Sequence, residues 1–348
     1  MSDYEYSFSE IRKGDQRALA ELDTLLEREH IRRDANLEYT VGLYDSEDRL
    51  VASGSLYANT LRCLVVDSSL QGEGLMNRVI SHLVVRQMEL GRSHLFLYTK
   101  PDKYHLFQDV GFYPIVETEN VVFMENRNRG FAEYLDELSE TKGPGKSSAL
   151  VMNCNPFTCG HRYLVDRAAA ESACTHVFVV SEDASHFPFE DRFRLVREGT
   201  DDLQNVRLHE TKSYMISQAV FPAYFLKDDE SAITAQAELD AALFLRIAKT
   251  LDITVRYVGE EPFSVVTGLY NRTLLSELPK AGIDCIEVPR LTLYGEPVSA
   301  SRVRRLLHDG KIEATRLMVP KTTYDYFFSD QGQTAIEAIK KSNDVTHY

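Results

Sequence analysis

The sequence predicts an α/β protein in two parts: a mixed α/β region over residues 1–138 and a doubly wound parallel sheet over 148–348. Three observations predict it. The chain is 348 residues long, about two domains at roughly 150 residues each. Its second part alternates short apolar strand runs with helix-length stretches. Between the parts, SETKGPGKSS sets Gly143, Pro144 and Gly145 among polar residues, the composition of a linker over 139–147.

In the first part, helical spacing of apolar residues predicts a helix over 15–29, followed by strands at 38–43, 50–57 and 61–67. A helix is expected over 74–90, then a strand at 94–98, a short helix at 104–109 and further strand through Phe123. In the second part, strands at 149–153, 175–180, 205–209, 253–258 and 284–288 alternate with helices at 161–172, 189–202, 231–250, 264–278 and 299–308. Such βα alternation calls for parallel strands, with ligands outside their carboxyl ends.

Composition excludes several classes. The formal charge of −14, from 39 basic and 53 acidic residues, argues against a nucleic-acid or anionic-membrane surface, though a local basic pocket can still take a nucleotide. No apolar run approaches the roughly 18 to 20 residues that span a bilayer. The opening MSDYEYSFSEIRKGD lacks the charged start and apolar stretch of a secretory signal, so a cytoplasmic location is expected. The five cysteines (Cys63, Cys154, Cys159, Cys174 and Cys285) form no CxxC pair, which predicts reduced thiols and neither disulfides nor a zinc site. Cys154 and Cys159 lie beside a motif that invites a nucleophile reading; the expectation is that both are small packing residues. Gly145-Lys146-Ser147 imitates the end of a P-loop, but Glu140 stands where its first glycine belongs, and that reading is rejected.

Between the strand ending at Asp67 and the next helix lies Gln71-Gly72-Glu73-Gly74-Leu75-Met76. Glycines at such a turn let backbone N–H groups approach a pyrophosphate at the positive helix end. A dinucleotide fingerprint fails because Asn77 occupies its third glycine position. The turn instead resembles the (Gln/Arg)-x-x-Gly-x-(Gly/Ala) turn of the GCN5-related N-acetyltransferases. Tyr104, Phe107 and Gly111-Phe112-Tyr113 resemble a later segment of that family, so the resemblance spans about 39–123. Met76 departs from it, since the family has a small residue there.

The most informative stretch is Asn153-Cys154-Asn155-Pro156-Phe157-Thr158-Cys159-Gly160-His161, at the carboxyl end of the second part's first strand. Thr158-Cys159-Gly160-His161 resembles the (His/Thr)-x-Gly-His motif of the nucleotidylyltransferase superfamily. Physically, Gly160 lets the helix start come close to a phosphate, and His161 projects a ring N–H toward α-phosphate oxygens. A donor placed where charge accumulates stabilises the transition state more than the ground state. Thr158 and Asn155 are candidates for further hydrogen bonds to phosphate.

A second stretch, Val298-Ser299-Ala300-Ser301-Arg302-Val303-Arg304, resembles the superfamily's I-S-x-(S/T)-x-x-R phosphate motif. Ser299 and Ser301 can donate to phosphate oxygens at a helix start, and Arg304 can hold the β- and γ-phosphates bidentately. The bland alternative is a serine-capped helix with exposed arginines. His186, His209 and His308 have no motif around them and are expected at the surface or in packing.

Longer segments resemble the citrate lyase ligase family: 155–165, 179–192, 211–227 and 259–271, then VSASRVR and Met318-Val319-Pro320-Lys321-Thr322-Thr323. That resemblance implies an acetyltransferase-like domain ahead of an adenylyltransferase-like one, with ATP and Mg²⁺ as substrate. It also implies acetate as the acid and a thiol prosthetic group on the citrate lyase acyl carrier subunit as acceptor. Acetate attacks the α-phosphate to give acetyl-adenylate and pyrophosphate, and the thiol then takes the acetyl group and releases AMP. No covalent enzyme intermediate, metal cluster or nucleic-acid partner is implied. Lys212 is a further candidate cation near the phosphates. Arg192 and Arg197 stand between anion binding and surface solvation, and 221–225 (FPAYF) between pocket lining and packing. The first domain is expected to dock the carrier or its arm, or to be purely structural. Two other functions stay open: a nucleotidyltransferase acting on a phosphorylated acceptor such as phosphopantetheine or nicotinamide mononucleotide, and a non-catalytic nucleotide or acetyl-CoA sensor.

Overall fold

In the computed structural model, which describes residues 6–181, 185–215, 221–226, 229–261 and 264–342, the chain divides into two units. The first closes at Phe131 and takes in a later stretch from Pro222 to Ala235; the second starts at Ala132, breaks at Phe221 and resumes at Gln236.

In chain order the first unit carries β1 (Ser7–Glu10), α1 (Gln16–Arg28), β2 (Tyr39–Tyr44), β3 (Leu50–Tyr57), β4 (Thr60–Val66), α2 (Leu75–Glu89), β5 (Phe96–Thr99), α3 (Tyr104–Gln108), β6 (Tyr113–Glu117) and β7 (Val122–Glu125). Its sheet runs β1-β2-β3-β4-β5-β7-β6. The pairs are antiparallel except β4 with β5, which align only at Thr60↔Phe96 and Leu61↔Leu97. β3 is buried from Val51 to Leu56, as a strand covered on both faces must be. Leu75, Val79, Ile80 and Leu83 of α2 pack with Val41, Leu43 and Leu56 in one core. In the later stretch, Tyr224 is buried beside Arg62 and Cys63 of β4, and Arg32 donates its backbone N–H to the Tyr224 carbonyl at 2.8 Å.

From α4 (Gly130–Ser139), which spans the boundary, the chain enters the second unit: β8 (Ser147–Met152), α5 (Cys159–Glu171), β9 (Cys174–Val179), α6 (Phe189–Glu198) and β10 (Val206–Glu210). After α7 (Asp229–Leu251) come β11 (Ile253–Gly259), α8 (Val265–Lys280), β12 (Asp284–Val288), the hairpin β13 (Thr292–Leu293) and β14 (Glu296–Pro297), α9 (Ala300–His308), α10 (Lys321–Tyr326) and α11 (Asp330–Lys341). The strand order is β10-β9-β8-β11-β12, all parallel. This is the doubly wound sheet the sequence predicts, and its order reverses between β8 and β11. Ligands bind at such a switch point, outside the carboxyl ends of the strands. Leu150, Met152, Val177, Val179, Val255 and Tyr257 face a core completed by α5, α6, α9 and α11. On the opposite face the Arg256 guanidinium lies 4.6 Å from the Phe244 ring of α7.

Two differences from expectation have local causes. α6 ends at Glu198 and not at 202, where Gly199, a poor helix former, takes the C-cap and packs so closely that a Cβ there would meet the Phe157 ring at 2.6 Å. α4 fills residues expected to precede a linker, with Phe131, Tyr134 and Leu138 buried. Among the described residues, no helix is long and apolar enough to cross a membrane.

Candidate active site

The chain leaves β8 at Met152 and turns through a cis Asn155–Pro156 peptide into α5. Thr158 is the N-cap of α5 and His161 its third helical residue. The Thr158 hydroxyl accepts the His161 backbone N–H at 3.3 Å, and His161 Nδ1 accepts the Thr158 backbone N–H at 3.1 Å. This is a capping box in which histidine takes the place usual for glutamate. An Nδ1 that accepts a backbone N–H carries no proton, so the neutral ring carries its proton on Nε2. Burial and the charges of Arg290 and Arg304 push the His161 pKa down to about 4. At neutral pH the residue is therefore an uncharged donor. Its Nε2–H makes no hydrogen bond among the described residues.

Gly160 brings the second motif to the first. A Cβ on it would lie 3.1 Å from the Val298 carbonyl oxygen and 3.8 Å from the Val298 Cβ. Its bareness thus serves close packing of α5 against the strand that leads into α9, where the sequence suggested approach to a phosphate. Ser299 caps α9, accepting from Arg302 N–H at 3.2 Å, and its hydroxyl lies 3.2 Å from that of Ser301. Arg304 is buried and donates from Nη1 to the Asn155 carbonyl at 2.5 Å, binding α9 to the β8–α5 turn. The exposed arginine of the bland alternative is therefore corrected for Arg304. The Asn155 carboxamide oxygen accepts from Phe187 N–H at 3.2 Å, and its NH₂ remains as a donor at the site.

Thr158, Gly160, His161, Asn155, Ser299, Ser301 and Arg304 thus converge through these contacts. Lys212 makes none of these contacts. It follows β10, its ammonium pairs with Glu137 and sits 5.2 Å from the Tyr134 ring centre, and its backbone N–H donates to Ser181. Arg192 fits neither of its expected readings. It is fully buried and donates to the carbonyls of Phe187 (3.0 Å), Asn153 (2.7 Å) and Val180 (2.8 Å) and to Asn153 Oδ1 (2.9 Å), bracing the turn beneath the site. Arg197 is exposed over Phe193. Tyr224 and Phe225 are packing residues of the first unit. Burial pushes the Cys154 thiol up to about 12, and the half-buried Cys159 thiol is also raised, which suits packing and not nucleophilic attack. His209 is buried against His176, ring nitrogens 2.9 Å apart. Among the described residues no group of three or more His, Cys, Asp or Glu stands together to hold a metal ion.

Sequence reasoning missed Arg290, two residues beyond β12, whose positive charge, with that of Arg304, lowers the His161 pKa. The signal available was its position past the carboxyl end of a parallel strand. The family-like segments over 179–192, 211–227 and 259–271 run partly through residues outside those described.

Fold and site together define the class: an α/β protein with two side-chain-capped helix starts meeting at the switch point of a parallel sheet, flanked by arginines and suited to an anion. Comparison with known proteins narrows this. Residues 147–327 match the family described as the citrate lyase ligase C-terminal domain. Citrate (pro-3S)-lyase ligase from Klebsiella pneumoniae is 40% identical over 312 residues, covering 88% of this chain and 91% of that protein. The protein of that name from Escherichia coli (strain K12) is 35% identical over 327 residues, covering 92% and 93%. A solved acyl-CoA N-acyltransferase from Pseudomonas aeruginosa is 14% identical and covers 35% of this chain and 99% of that one, at a TM-score of 0.31; nothing about chemistry follows from it. The chain belongs to the citrate lyase ligase family of enzymes.

Proposed function

We propose that the enzyme uses MgATP to acetylate the thiol prosthetic group of the citrate lyase acyl carrier subunit, by way of acetyl-adenylate. An acetate oxygen attacks the α-phosphorus, the bond to the β-phosphate oxygen breaks, and pyrophosphate leaves. The carrier thiol then attacks the acetyl carbon, the carbon–oxygen bond to the phosphate breaks, and AMP leaves. His161 Nε2–H donates to a non-bridging α-phosphate oxygen in both steps, with Thr158 holding the ring at Nδ1. The Asn155 carboxamide N–H and the Ser301 hydroxyl add donors, Ser299 orients α9, and Arg304 ties the two helix starts together beside the β- and γ-phosphates. Mg²⁺ enters as part of the nucleotide substrate.

One observation carries this reading: a neutral histidine whose Nδ1 is fixed by a backbone N–H and whose Nε2–H is left to donate, at the switch point of a parallel sheet. A preplaced neutral donor suits charge that grows in the transition state and needs no reorganisation as it does so. The names of the relatives point to citrate lyase as the partner, which supports the carrier thiol as acceptor. The test is exchange of labelled pyrophosphate into ATP by the intact protein, with single carboxylates or phosphorylated acceptors supplied in turn. Exchange that depends on acetate is expected. Exchange seen only with a phosphorylated acceptor would overturn the proposal in favour of nucleotidyl transfer.

A further inference from the structure

We propose that Arg290 is a phosphate-binding residue of this site, and that Glu261 holds its guanidinium in place until the nucleotide displaces the carboxylate. The inference rests on the adenylation reading and adds a cation that no motif assigns.

The placement is set by the sheet. β12 pairs with β11 as far as Gly259↔Val288, and Glu260 N–H donates to the Val288 carbonyl at 2.9 Å. Arg290 and the pair Glu260-Glu261 therefore leave the carboxyl edge of the sheet side by side. Arg290 Nε donates to the Glu260 carbonyl at 2.7 Å, and Nη2 pairs with the Glu261 carboxylate. The next residue, Leu291, accepts Val298 N–H at 2.8 Å, and the Val298 carbonyl lies against Gly160 at the start of α5. A Cβ on Gly259 would sit 3.9 Å from Leu164 of α5. The residue that follows Arg290 is thus tied through Val298 to the starts of α5 and α9.

The two arginines that act on the His161 ring differ in what they can still do. Arg304 is buried and directs Nη1 at the Asn155 carbonyl, whereas the Arg290 side chain is 22% exposed. A guanidinium has five N–H donors in a planar fork that matches phosphate, and Arg290 uses one toward a carbonyl and one toward a single carboxylate. Glu261 is itself held, because its Oε1 accepts Ser264 N–H at 3.2 Å ahead of α8. A triphosphate carries several charges where Glu261 carries one. Exchange of the carboxylate for a phosphoryl oxygen keeps the arginine paired while adding attraction for substrate.

The experiment titrates MgATP into the full-length wild type, Arg290→Ala, Arg290→Lys and Glu261→Gln, alongside thermal melts and an NMR titration of His161. Arg290→Ala is expected to weaken binding about tenfold to a hundredfold, the usual range for losing a hydrogen bond to a charged group. Glu261→Gln keeps an acceptor for Ser264 but loses the competing charge, so it should bind MgATP several-fold tighter. Loss of the Arg290 cation should raise the His161 pKa, and Arg290→Lys should leave it low while binding less tightly than wild type. Should Arg290→Ala fail to fold, the lysine and glutamine variants carry the test. Equal weakening by Arg290→Lys and Glu261→Gln would mark a structural ion pair and overturn the inference, as would wild-type affinity in both arginine variants. A wild type that binds no MgATP would overturn the adenylation reading itself.

Discussion

The turn into α2 and the turn into α5 both follow a buried strand, both carry glycine, and both resemble places where a phosphate is held. Their construction differs. At α2 the N-cap is Gly74, at φ 77°, with no side-chain cap, and a Cβ on Gly72 or Gly74 would meet nothing within 4 Å. Residues 71–74 stand in solvent, Glu73 receives the Tyr6 hydroxyl, and Met76 packs on the first unit's core. At α5 the cap is a buried threonine, its partner a histidine, and the glycine is pressed against a neighbouring backbone. The first turn uses glycine for conformation, the second for close approach. A glycine pattern therefore marks a candidate site, while tertiary contacts on the glycine and the cap decide whether donors are held in place.

The comparison can be broken most directly at His161. His161→Ala should lower acetate-dependent pyrophosphate exchange on the order of 10²-fold, by analogy with loss of an oxyanion donor. ATP affinity should barely move. Near wild-type exchange would sink the role given to α5.

Acid should expose a second contrast. In the second unit His161 and His176 are depressed to about 4 and His209 to about 3, chiefly by burial. Their ordinary value is near 6.5, so above that pH neither folded nor unfolded chain binds these protons. As pH falls from 6.5 toward 4, the unfolded chain takes up protons that the fold refuses, and stability declines. Asp240, raised to about 6 by burial, works the other way as pH falls below 6, against the three histidines and the depressed carboxylates of Asp202 and Asp309. Urea melts should show net loss on the order of a few kcal/mol by pH 4. A midpoint flat from pH 7 to 4.5 would contradict the buried neutral histidines.

Gly160→Ala would drive a methyl toward the Val298 carbonyl and displace His161, for about a tenfold loss of exchange, since small misplacements at a reacting centre are costly. Gly74→Ala should cost only about 1 kcal/mol of stability from its left-handed backbone, with exchange unchanged. Equal effects of the two substitutions on exchange would erase the distinction between the turns.

The parallel sheet was legible because each buried strand and its helix are long enough to show their periods, and Thr158 to His161 because cap and glycine lie within four residues. The hairpin β13–β14 was not, with two residues in each strand. Arg192 reads as any helical arginine, since the carbonyls that bury it come from Asn153, Val180 and Phe187 and are gathered only by the fold. Tyr224 likewise joins the first unit through Arg32 and the β4 residues Arg62 and Cys63, far away in sequence. Deleting residues 1–138 would strip that tyrosine of its neighbours, so point substitutions are the cleaner probe of the first unit.

The central claim, attack of acetate on the α-phosphorus at the α5 helix start, is tested most directly by isotope transfer. The intact enzyme would be given carboxylate-¹⁸O acetate, MgATP and the thiol-bearing carrier, and the AMP formed would be weighed by mass spectrometry. The mechanism predicts one ¹⁸O in each AMP phosphate, left there when the thiol displaces the acetyl carbon. AMP free of ¹⁸O, or formation of ADP and phosphate in its place, would contradict it.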